Sequence, residues 1–387
     1  MASFYDGNGK KISIDDVQKV EHFGLPSIYI TCPDADNTMA VLSYGTHDIT
    51  IKYVDAEKQF SCYGTVKKQG NFSSTGGKKN LNVTLYTDST KTTKQKIKFN
   101  PWYKMHKYHI KGNESDYSMV RNSVLTRIAY EFCGGLSLPN GAMGYIDSFP
   151  CILYWNNTWF GCYTVNLPQD EHTFNFEDNN ANHMAWRIET PSNWTSTNGW
   201  EFRGDEDNLT STMTANFQTL LDLMSQETIT TTEVENSFDI NSLLSYIVFL
   251  QIGYLNDSTM NNWTLATWDG STWYHIFYDL DIGFGFSNAG DISTSAYLPM
   301  NAFHTKVEAL YSEEIKEVYA NMRNAGLTAE YVTEKLYEFQ RKWGWQNLKM
   351  EYAKWESDKP FKKGLETVSP WLTARLTYLD TLYEYTE

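Results

Sequence analysis

Two short stretches of the sequence concentrate oxygen-bearing side chains that could bind a metal ion. NDSTMNNW carries Asp257 and Asn262, and YDLDIGFG carries Asp279 and Asp281. Between them, NWTLATWDGSTWYHIFYD has the pattern of two strands around an Asp-Gly turn, which predicts a β-hairpin. Because a hairpin brings its ends together, we expect these four side chains to share one patch. Three carboxylates and an amide in one place would suit a cation that prefers oxygen ligands, such as Mg²⁺.

The order of these residues indicates a chemistry. An Asp-x4-Asn loop followed by a hairpin and a metal-binding Asp is the layout of phosphotransferase catalytic loops. In such loops the first Asp accepts the proton of the attacking hydroxyl, and the Asn and the later Asp hold magnesium on the nucleotide phosphates. Two alternatives remain open: a metal-dependent hydrolase that uses the same aspartates, and a solvated loop beside a turn with capping aspartates.

A further stretch offers positive charge for phosphates. QGNFSSTGGKKN, residues 69–80, is rich in glycine and ends in Lys78 and Lys79 before a predicted strand. Glycines let the backbone approach an anion closely, and lysines add point charges. The stretch lacks the Walker A spacing and resembles instead a lysine that reaches a nucleotide from a β-rich lobe. A surface hairpin with solvated lysines is the alternative.

A second candidate for phosphate contact stands at the start of a predicted helix. KGNESDYSMVRN places Asp116 and Arg121 there, with Ser115 or Asp116 as the expected N-cap. Arg121 could reach a phosphate, or it could form a structural ion pair with a carboxylate.

The elements that must position these residues change character along the chain. Strand-like segments dominate the N-terminal half, whereas segments with helical apolar spacing dominate the C-terminal half. We therefore predict an α+β fold with a cleft between two lobes. Its expected parts are a leader at residues 1–24, a β-rich lobe at about 25–205 and a helical lobe at about 206–387.

Composition excludes several classes of partner. The chain has 32 Lys and Arg against 47 Asp and Glu, a net charge of −15, so nucleic acid and anionic membranes are poor partners. Its N-terminus shows no apolar signal-peptide region, and its longest apolar run, residues 243–255, is too short to span a bilayer. The five cysteines include no CxxC pair, which favours free buried thiols over a zinc site or disulfides. The eight histidines are scattered, and no histidine site is predicted from them.

Several of these stretches occur in the order typical of one family. Six stretches follow one another over roughly residues 25–290, in the order QGNFSS, KKNLNVTL, IKGNESDYSMVRN, ILYWNNTWFGCY, DSTMNN and YDLDIGFG. In this series the chain resembles the CotH family, the spore-coat-H-type atypical protein kinases. The resemblance implies an atypical protein-kinase-like bilobal fold and transfer of the γ-phosphoryl group of ATP to protein Ser or Thr hydroxyls.

The resemblance also implies roles for individual residues. Asp257 becomes the catalytic base, Asn262 and Asp279 become magnesium ligands with Asp281 close by, and Lys78 or Lys79 contacts the nucleotide phosphates. ATP and Mg²⁺ are the implied cofactors.

The chain departs from the family pattern in three places. Gln69 stands where spore-coat members usually carry Arg, and Asn80 stands where they carry Ser. The segment after GCYTV usually brings a glutamate that pairs the lysine, but here it reads NLPQDEH, so Glu171 is displaced or the pairing glutamate is absent. These departures leave a second hypothesis open, in which the chain is a structural virion protein of the tail or baseplate. Such a protein would keep the kinase-like fold as a scaffold, as a receptor-binding module or as a pseudokinase.

The variant of the glycine loop resembles that of bacteriophage and gut-bacterial members. This resemblance implies that the protein is located in a bacteriophage virion or in the bacterial cytoplasm. The expected partners are a protein substrate or virion proteins, and self-association into a homo-oligomer stays open.

Overall fold

We describe a computed structural model of the chain. The residues that this structure describes are 4–5, 11–12, 25–36, 39, 42, 45–70, 77–99, 101–134, 136–287, 292–356 and 364–386. Most of the predicted leader, residues 1–24, and residues 71–76 of the glycine-rich loop lie outside this part of the chain. The division into leader and two lobes therefore stays a prediction.

Fifteen strands are present in the described residues, most of them in the N-terminal half. They are β1 Phe4–Tyr5, β2 Lys11–Ile12, β3 Ser27–Thr31, β4 His47–Val54, β5 Gln59–Gln69, β6 Asn80–Tyr86, β7 Ile97–Lys98, β8 Lys104–Met105, β9 Lys107–Lys111, β10 Ser148–Trp155, β11 Thr158–Asn166, β12 Met184–Ile188, β13 Trp200–Phe202, β14 Thr264–Thr267 and β15 Tyr274–Ile276.

Seven of these strands close into a barrel in the order β10-β11-β9-β6-β5-β4-β3. Closure depends on the parallel pairing of β3 with β10, in which Ser27 lies opposite Ile152. The other pairs in the barrel are antiparallel. Alternation in NLNVTLY buries Leu81, Val83 and Leu85 inside the barrel core, because successive strand residues face opposite sides.

A separate four-stranded sheet has the order β13-β12-β14-β15. It contains the predicted hairpin, since β14 and β15 pair antiparallel with Thr264 opposite Ile276. At the hairpin tip, Asp269 Oδ1 accepts hydrogen bonds from the backbone N–H groups of Ser271 and Thr272, both at 2.7 Å. The sheet joins strands from both sides of residue 205, near which the lobes were predicted to divide.

Nine α-helices occur in the described residues, and all but the first follow residue 205. They are α1 Arg121–Glu131, α2 Ser211–Ser225, α3 Thr231–Ser237, α4 Ile240–Gly253, α5 Ala302–Leu310, α6 Ser312–Asn324, α7 Ala329–Arg341, α8 Trp345–Trp355 and α9 Val368–Leu382. Helix α4 is buried along nearly its whole length and is capped by Asp239, whose side chain accepts from Ser242 N–H at 2.8 Å.

The helices pack in one large apolar core with α1 and the four-stranded sheet, while the barrel interior forms its own core. The predicted α+β class, with a β-rich N-terminal region and a helical C-terminal region, is confirmed. All five cysteines are free, and four of them are buried. Among the described helices, none has the length and apolar character needed to traverse a bilayer.

Three elements differ in detail from their prediction. Helix α1 begins at Arg121 with Val120 as its N-cap residue, not at Ser115 or Asp116, because residues 113–120 form turns. The segment AEYVTEKLYEFQRKWGWQNLKMEY splits into α7 and α8, since Gly344 between them has φ of 73°. The strand predicted for KMHKYHIKG is interrupted at His106, between β8 and β9.

Candidate active site

The loop after α4 positions the first pair of predicted residues. Asp257 lies on a single 3₁₀ turn, Asn256–Thr259, that directly follows the helix. Its Oδ2 accepts a hydrogen bond from Asn262 Nδ2 at 2.8 Å, and its Oδ1 accepts one from Asn261 Nδ2 at 2.8 Å. The loop is therefore held closed by its own amides, which fix the direction of the carboxylate.

The hairpin β14–β15 positions the second pair. Asn262 precedes β14 and Asp279 follows β15, so pairing of the two strands returns the chain to the same place. Burial raises the pKa of Asp257, and the charge of Asp279 raises it further. Burial also raises the pKa of Asp281 well above its usual range, again with Asp279 as the next cause. The structure thus brings Asp257, Asn262, Asp279 and Asp281 together.

Two of these residues have unusual backbone conformations. Asn262 and Asp279 have φ of 56° and 53°, in the left-handed region that most residues avoid. Asn and Asp tolerate this region better than other side chains, and such outliers concentrate at functional sites.

Lys111 is the lysine that contacts the acidic cluster, by which we mean Asp257, Asp279 and Asp281. It ends strand β9, and its Nζ lies 3.1 Å from Asp279 Oδ1. Burial lowers the pKa of Lys111, but the charge and hydrogen bond of Asp279, together with Tyr278 and Asp281, outweigh this effect and leave the pKa raised. The buried Lys111 side chain therefore places a positive charge beside Asp279, whose side chain is 31% exposed.

Two polar side chains complete the surroundings of the cluster. Asn122 Nδ2, on the first turn of α1, donates to Asp279 Oδ1. Ser115 Oγ donates to Asp281 Oδ2 at 3.3 Å. Lys111, Ser115 and Asn122 all belong to IKGNESDYSMVRN, so the sequence motif contained them, but its spacing did not show which side chains face the aspartates.

The sequence model of one protein family, described as CotH kinase protein, matches residues 66–379 of this chain. The chain belongs to the CotH kinase family. Membership implies a kinase-like function with use of ATP. No curated protein matches the chain.

Lys78 lies in the interior of this CotH domain. Its Nζ donates to Glu351 Oε1 and to the Cys162 carbonyl oxygen, both at 2.6 Å, and to Met119 Sδ at 3.5 Å. Neither side chain of the Lys78–Glu351 pair is exposed. An ammonium group has three N–H donors, so this arrangement uses all of them.

The expectation that this lysine lacks a glutamate is wrong. The partner is Glu351 on α8, which is 273 residues away in sequence, and not Glu171. Cys162 N–H also donates to Glu351 Oε2 at 2.8 Å. Gly161 permits this approach, because a Cβ there would lie 2.6 Å from Glu351 Oε2.

The other two proposed phosphate-binding residues are also enclosed. Lys79 is buried beside Lys78, so the alternative of solvated lysines is wrong. Arg121 is fully buried, and its Nη1 lies 2.6 Å from Asp116 Oδ1. Asp116 Oδ2 accepts in addition from Arg121 N–H at 2.9 Å. Of the two roles considered for Arg121, this geometry is that of the structural ion pair.

The charge balance at the acidic cluster fits a divalent cation. The pKa values of Asp257 and Asp281 both respond to the charge of Asp279, and Lys111 is the cation that pairs with Asp279 in the described part of the chain. Burial is the main cause of the raised pKa of Asp281 and the charge of Asp279 is the next, and a divalent ion with oxygen ligands would neutralise the excess negative charge. Asn262 uses its Nδ2 on Asp257, so its amide oxygen is the atom suited to a metal.

A groove of about 970 Å³ opens elsewhere, where the barrel meets α7 and α8. Lys58, Phe99, Arg341, Trp343 and Trp345 are among its lining residues, and no member of the acidic cluster is. The assignment of the candidate site therefore depends on side-chain chemistry and position, not on cavity size.

Proposed function

We propose that this CotH domain transfers the γ-phosphoryl group of ATP to Ser or Thr hydroxyls of a protein substrate, with Mg²⁺ as cofactor. The observation that supports this proposal most strongly is the convergence of Asp257, Asn262 and Asp279 from the two ends of one hairpin. A loop aspartate and asparagine beside a second aspartate are the groups that phosphoryl transfer requires for proton removal and metal binding.

Asp257 is proposed as the general base. The hydroxyl oxygen of the substrate forms a bond to the γ-phosphorus, the bond to the oxygen that bridges the β- and γ-phosphorus atoms breaks, ADP leaves, and the hydroxyl proton moves to Asp257. Burial and the neighbouring Asp279 raise the pKa of Asp257, which makes it a better proton acceptor than a solvated aspartate. Hydrogen bonds from Asn261 and Asn262 orient the carboxylate for this role.

Asn262, Asp279 and Asp281 are proposed to hold the metal. Mg²⁺, when bound, would neutralise phosphate charge and align the triphosphate with the attacking hydroxyl. The protein contributes the rigid turns that carry these ligands and the Asn122 and Lys111 contacts that fix Asp279.

Lys111 is proposed as the residue that contacts the phosphates, in place of the predicted Lys78. The predicted contact of Lys79 with the phosphates stays a prediction. The ammonium group of Lys111 already lies at the acidic cluster, whereas the ammonium group of Lys78 is fully engaged with Glu351 and its neighbours. Lys78 is proposed to support the site by fixing the barrel against α8, as the lysine–glutamate pair does in protein kinases.

The proposal is tested with the purified full chain, Mg²⁺ and ATP labelled at the γ-phosphate. We expect label to appear in the chain itself or in a Ser/Thr-rich protein substrate, and Asp257→Asn to lower the rate by roughly 10²- to 10⁴-fold. Asp222→Asn is the matched control, because this aspartate is exposed on α2, outside the acidic cluster, and we expect it to leave the rate unchanged. Absence of transfer, or equal rates for the wild type and Asp257→Asn, would contradict the proposal.

The same assay distinguishes the two alternatives. Release of free phosphate without protein labelling would favour the metal-dependent hydrolase. Tight binding of Mg-ATP without turnover would favour a pseudokinase, as in the virion-protein hypothesis, which stays a prediction. One reason for that hypothesis, the missing glutamate, no longer applies because Lys78 is paired with Glu351.

A further inference from the structure

A second group of metal-binding side chains lies outside the acidic cluster. The loop between β11 and β12 carries Asp170, Glu171 and His172 in succession, and one potential ligand atom from each lies within 4.8 Å of the others. His106, at the interruption between β8 and β9, packs against this turn, with its ring centroid 5.1 Å from that of His172 and the two ring planes at 78°. We call these four residues the His-Asp-Glu cluster.

Several polar atoms in this cluster are buried without hydrogen bonds. Both ring nitrogens of His106 lack a partner among the described residues, although the side chain is only 4% exposed. Asp170 Oδ2 and Glu171 Oε2 are also without partners in the described part of the chain. His172 Nδ1 lies 3.0 Å from Glu171 Oε1 and 3.7 Å from Asp170 Oδ1, which makes ion pairs with both carboxylates. Burial lowers the pKa of His172, but the two carboxylates outweigh burial and raise the pKa to about 9.

Buried polar atoms are nearly always satisfied, so this many in one place require an explanation. Burying an imidazole with both nitrogens unpaired is costly, because the hydrogen bonds that the ring makes to water are lost. A metal ion that accepts nitrogen and oxygen ligands would satisfy Asp170, Glu171 and His172 at once, and it would lie next to the ring of His106.

We propose that the His-Asp-Glu cluster binds Zn²⁺. His172, Asp170 and Glu171 supply one imidazole and two carboxylates, three ligands of the nitrogen and oxygen types that zinc binds, and the fourth tetrahedral position stays open beside His106. Mg²⁺ and Ca²⁺ prefer oxygen ligands only, which makes them poor occupants of a site with a histidine ligand.

The backbone around the cluster is already ordered, as a structural metal site requires. The His106 carbonyl oxygen accepts from Leu85 N–H at 2.8 Å, which anchors it to the barrel. Asp170 Oδ1 accepts from His172 N–H at 3.1 Å, and the Asp170 carbonyl accepts from Thr173 and Phe174 N–H. Zinc would therefore hold together the turn at residues 170–172, which packs against His106 beside the barrel.

This site is separate from the one proposed for ATP. His106 and Lys111 lie at opposite ends of β9, a separation of roughly 16 Å along an extended strand. No member of the His-Asp-Glu cluster belongs to the acidic cluster, so zinc binding does not depend on the proposed kinase activity.

The proposal is tested by zinc binding to the full chain after treatment with a chelator. Excess Mg²⁺ is kept in the buffer to occupy the acidic cluster, and Zn²⁺ is titrated in competition with a chromophoric chelator. We expect one Zn²⁺ per chain, and His172→Gln to weaken its binding by about 100-fold or more. His47→Gln, on β4, is the matched control and should bind as the wild type does.

A milder variant and a spectroscopic probe cover the case in which a buried histidine is needed for folding. Glu171→Gln preserves the side-chain shape, and we expect it to weaken zinc binding by about 10-fold while circular dichroism shows a folded chain. Co²⁺ in place of Zn²⁺ should give the visible spectrum of nitrogen and oxygen coordination. The proposal is overturned if the wild type takes up no zinc, if His172→Gln and Glu171→Gln bind as tightly as the wild type, or if the Co²⁺ spectrum shows thiolate ligands.

Discussion

At the scale of single residues, the lysines divide into two kinds. Lys78 is enclosed with Glu351 between the barrel and α8, and Lys111 stands at the acidic cluster. The first arrangement is suited to holding two parts of the chain together. The second is suited to a phosphate, because the charge lies beside a proposed metal ligand. Mutations of the two residues should therefore have different effects.

Lys78→Met should act mainly on stability. It leaves the carboxylate of Glu351 buried without its cation, so we expect the free energy of unfolding to fall by about 3–5 kcal/mol. Lys78→Met combined with Glu351→Leu removes both charges and should recover much of that loss. Urea denaturation of the three proteins measures this, and equal stabilities for Lys78→Met and the wild type would refute the structural role.

Lys111→Met should act mainly on phosphoryl transfer. Its side chain contacts Asp279 and lies over the ring of Tyr278, so the methionine can keep the apolar contact while losing the charge. We expect transfer to fall by roughly 10²-fold or more, with a smaller loss of stability than in Lys78→Met. Steady-state kinetics at several ATP concentrations check this, and unchanged kinetics would remove Lys111 from the site.

At the scale of elements, the hairpin β14–β15 and helix α5 are joined by two buried histidines. His275 on β15 and His304 on α5 have their Nε2 atoms 3.2 Å apart, and Asn301 contacts His304 Nδ1 at 2.9 Å. Burial lowers the pKa of His304 to about 3 and that of His275 well below its usual value. The pair stays neutral in the folded chain and supports the strand that leads to Asp279.

This pair predicts a loss of stability in acid. Below about pH 6.5 the unfolded chain binds protons at these histidines and the folded chain does not, so the free energy of unfolding falls as pH decreases. The expected slope is up to about 1.4 kcal/mol per pH unit for each histidine, down to pH values near 3 for His304. Denaturation at pH 7 and pH 5 should show a shallower slope for His304→Gln than for the wild type. Identical slopes would show that His304 does not titrate in this way.

At the scale of the whole molecule, local patterns were sufficient for the class of fold and for the acidic cluster. The turns at Asn156-Asn157 and Asp269-Gly270 were recognisable because turn residues and strand alternation act over a few positions. A hairpin is the shortest way to bring Asp257 and Asp279 together, so the sequence sufficed to predict their proximity.

Contacts between distant parts of the chain were not predictable in this way. The Lys78–Glu351 pair and the approach of His106 to His172 join elements that only the closed barrel and the packing of α8 bring together. The spacing of residues along the sequence does not indicate how such distant elements pack. For the same reason it did not distinguish Lys78 from Lys111 as the lysine at the acidic cluster.

The central claim is that the acidic cluster holds the metal that accompanies ATP, and calorimetric titration of the chain with ATP tests it most directly. We predict binding in the presence of Mg²⁺, little binding with a chelator, binding by Asp279→Asn that is weaker by about 10-fold or more, and retained binding by Asp257→Asn. Equal affinity with and without Mg²⁺, or wild-type affinity in Asp279→Asn, would contradict the account.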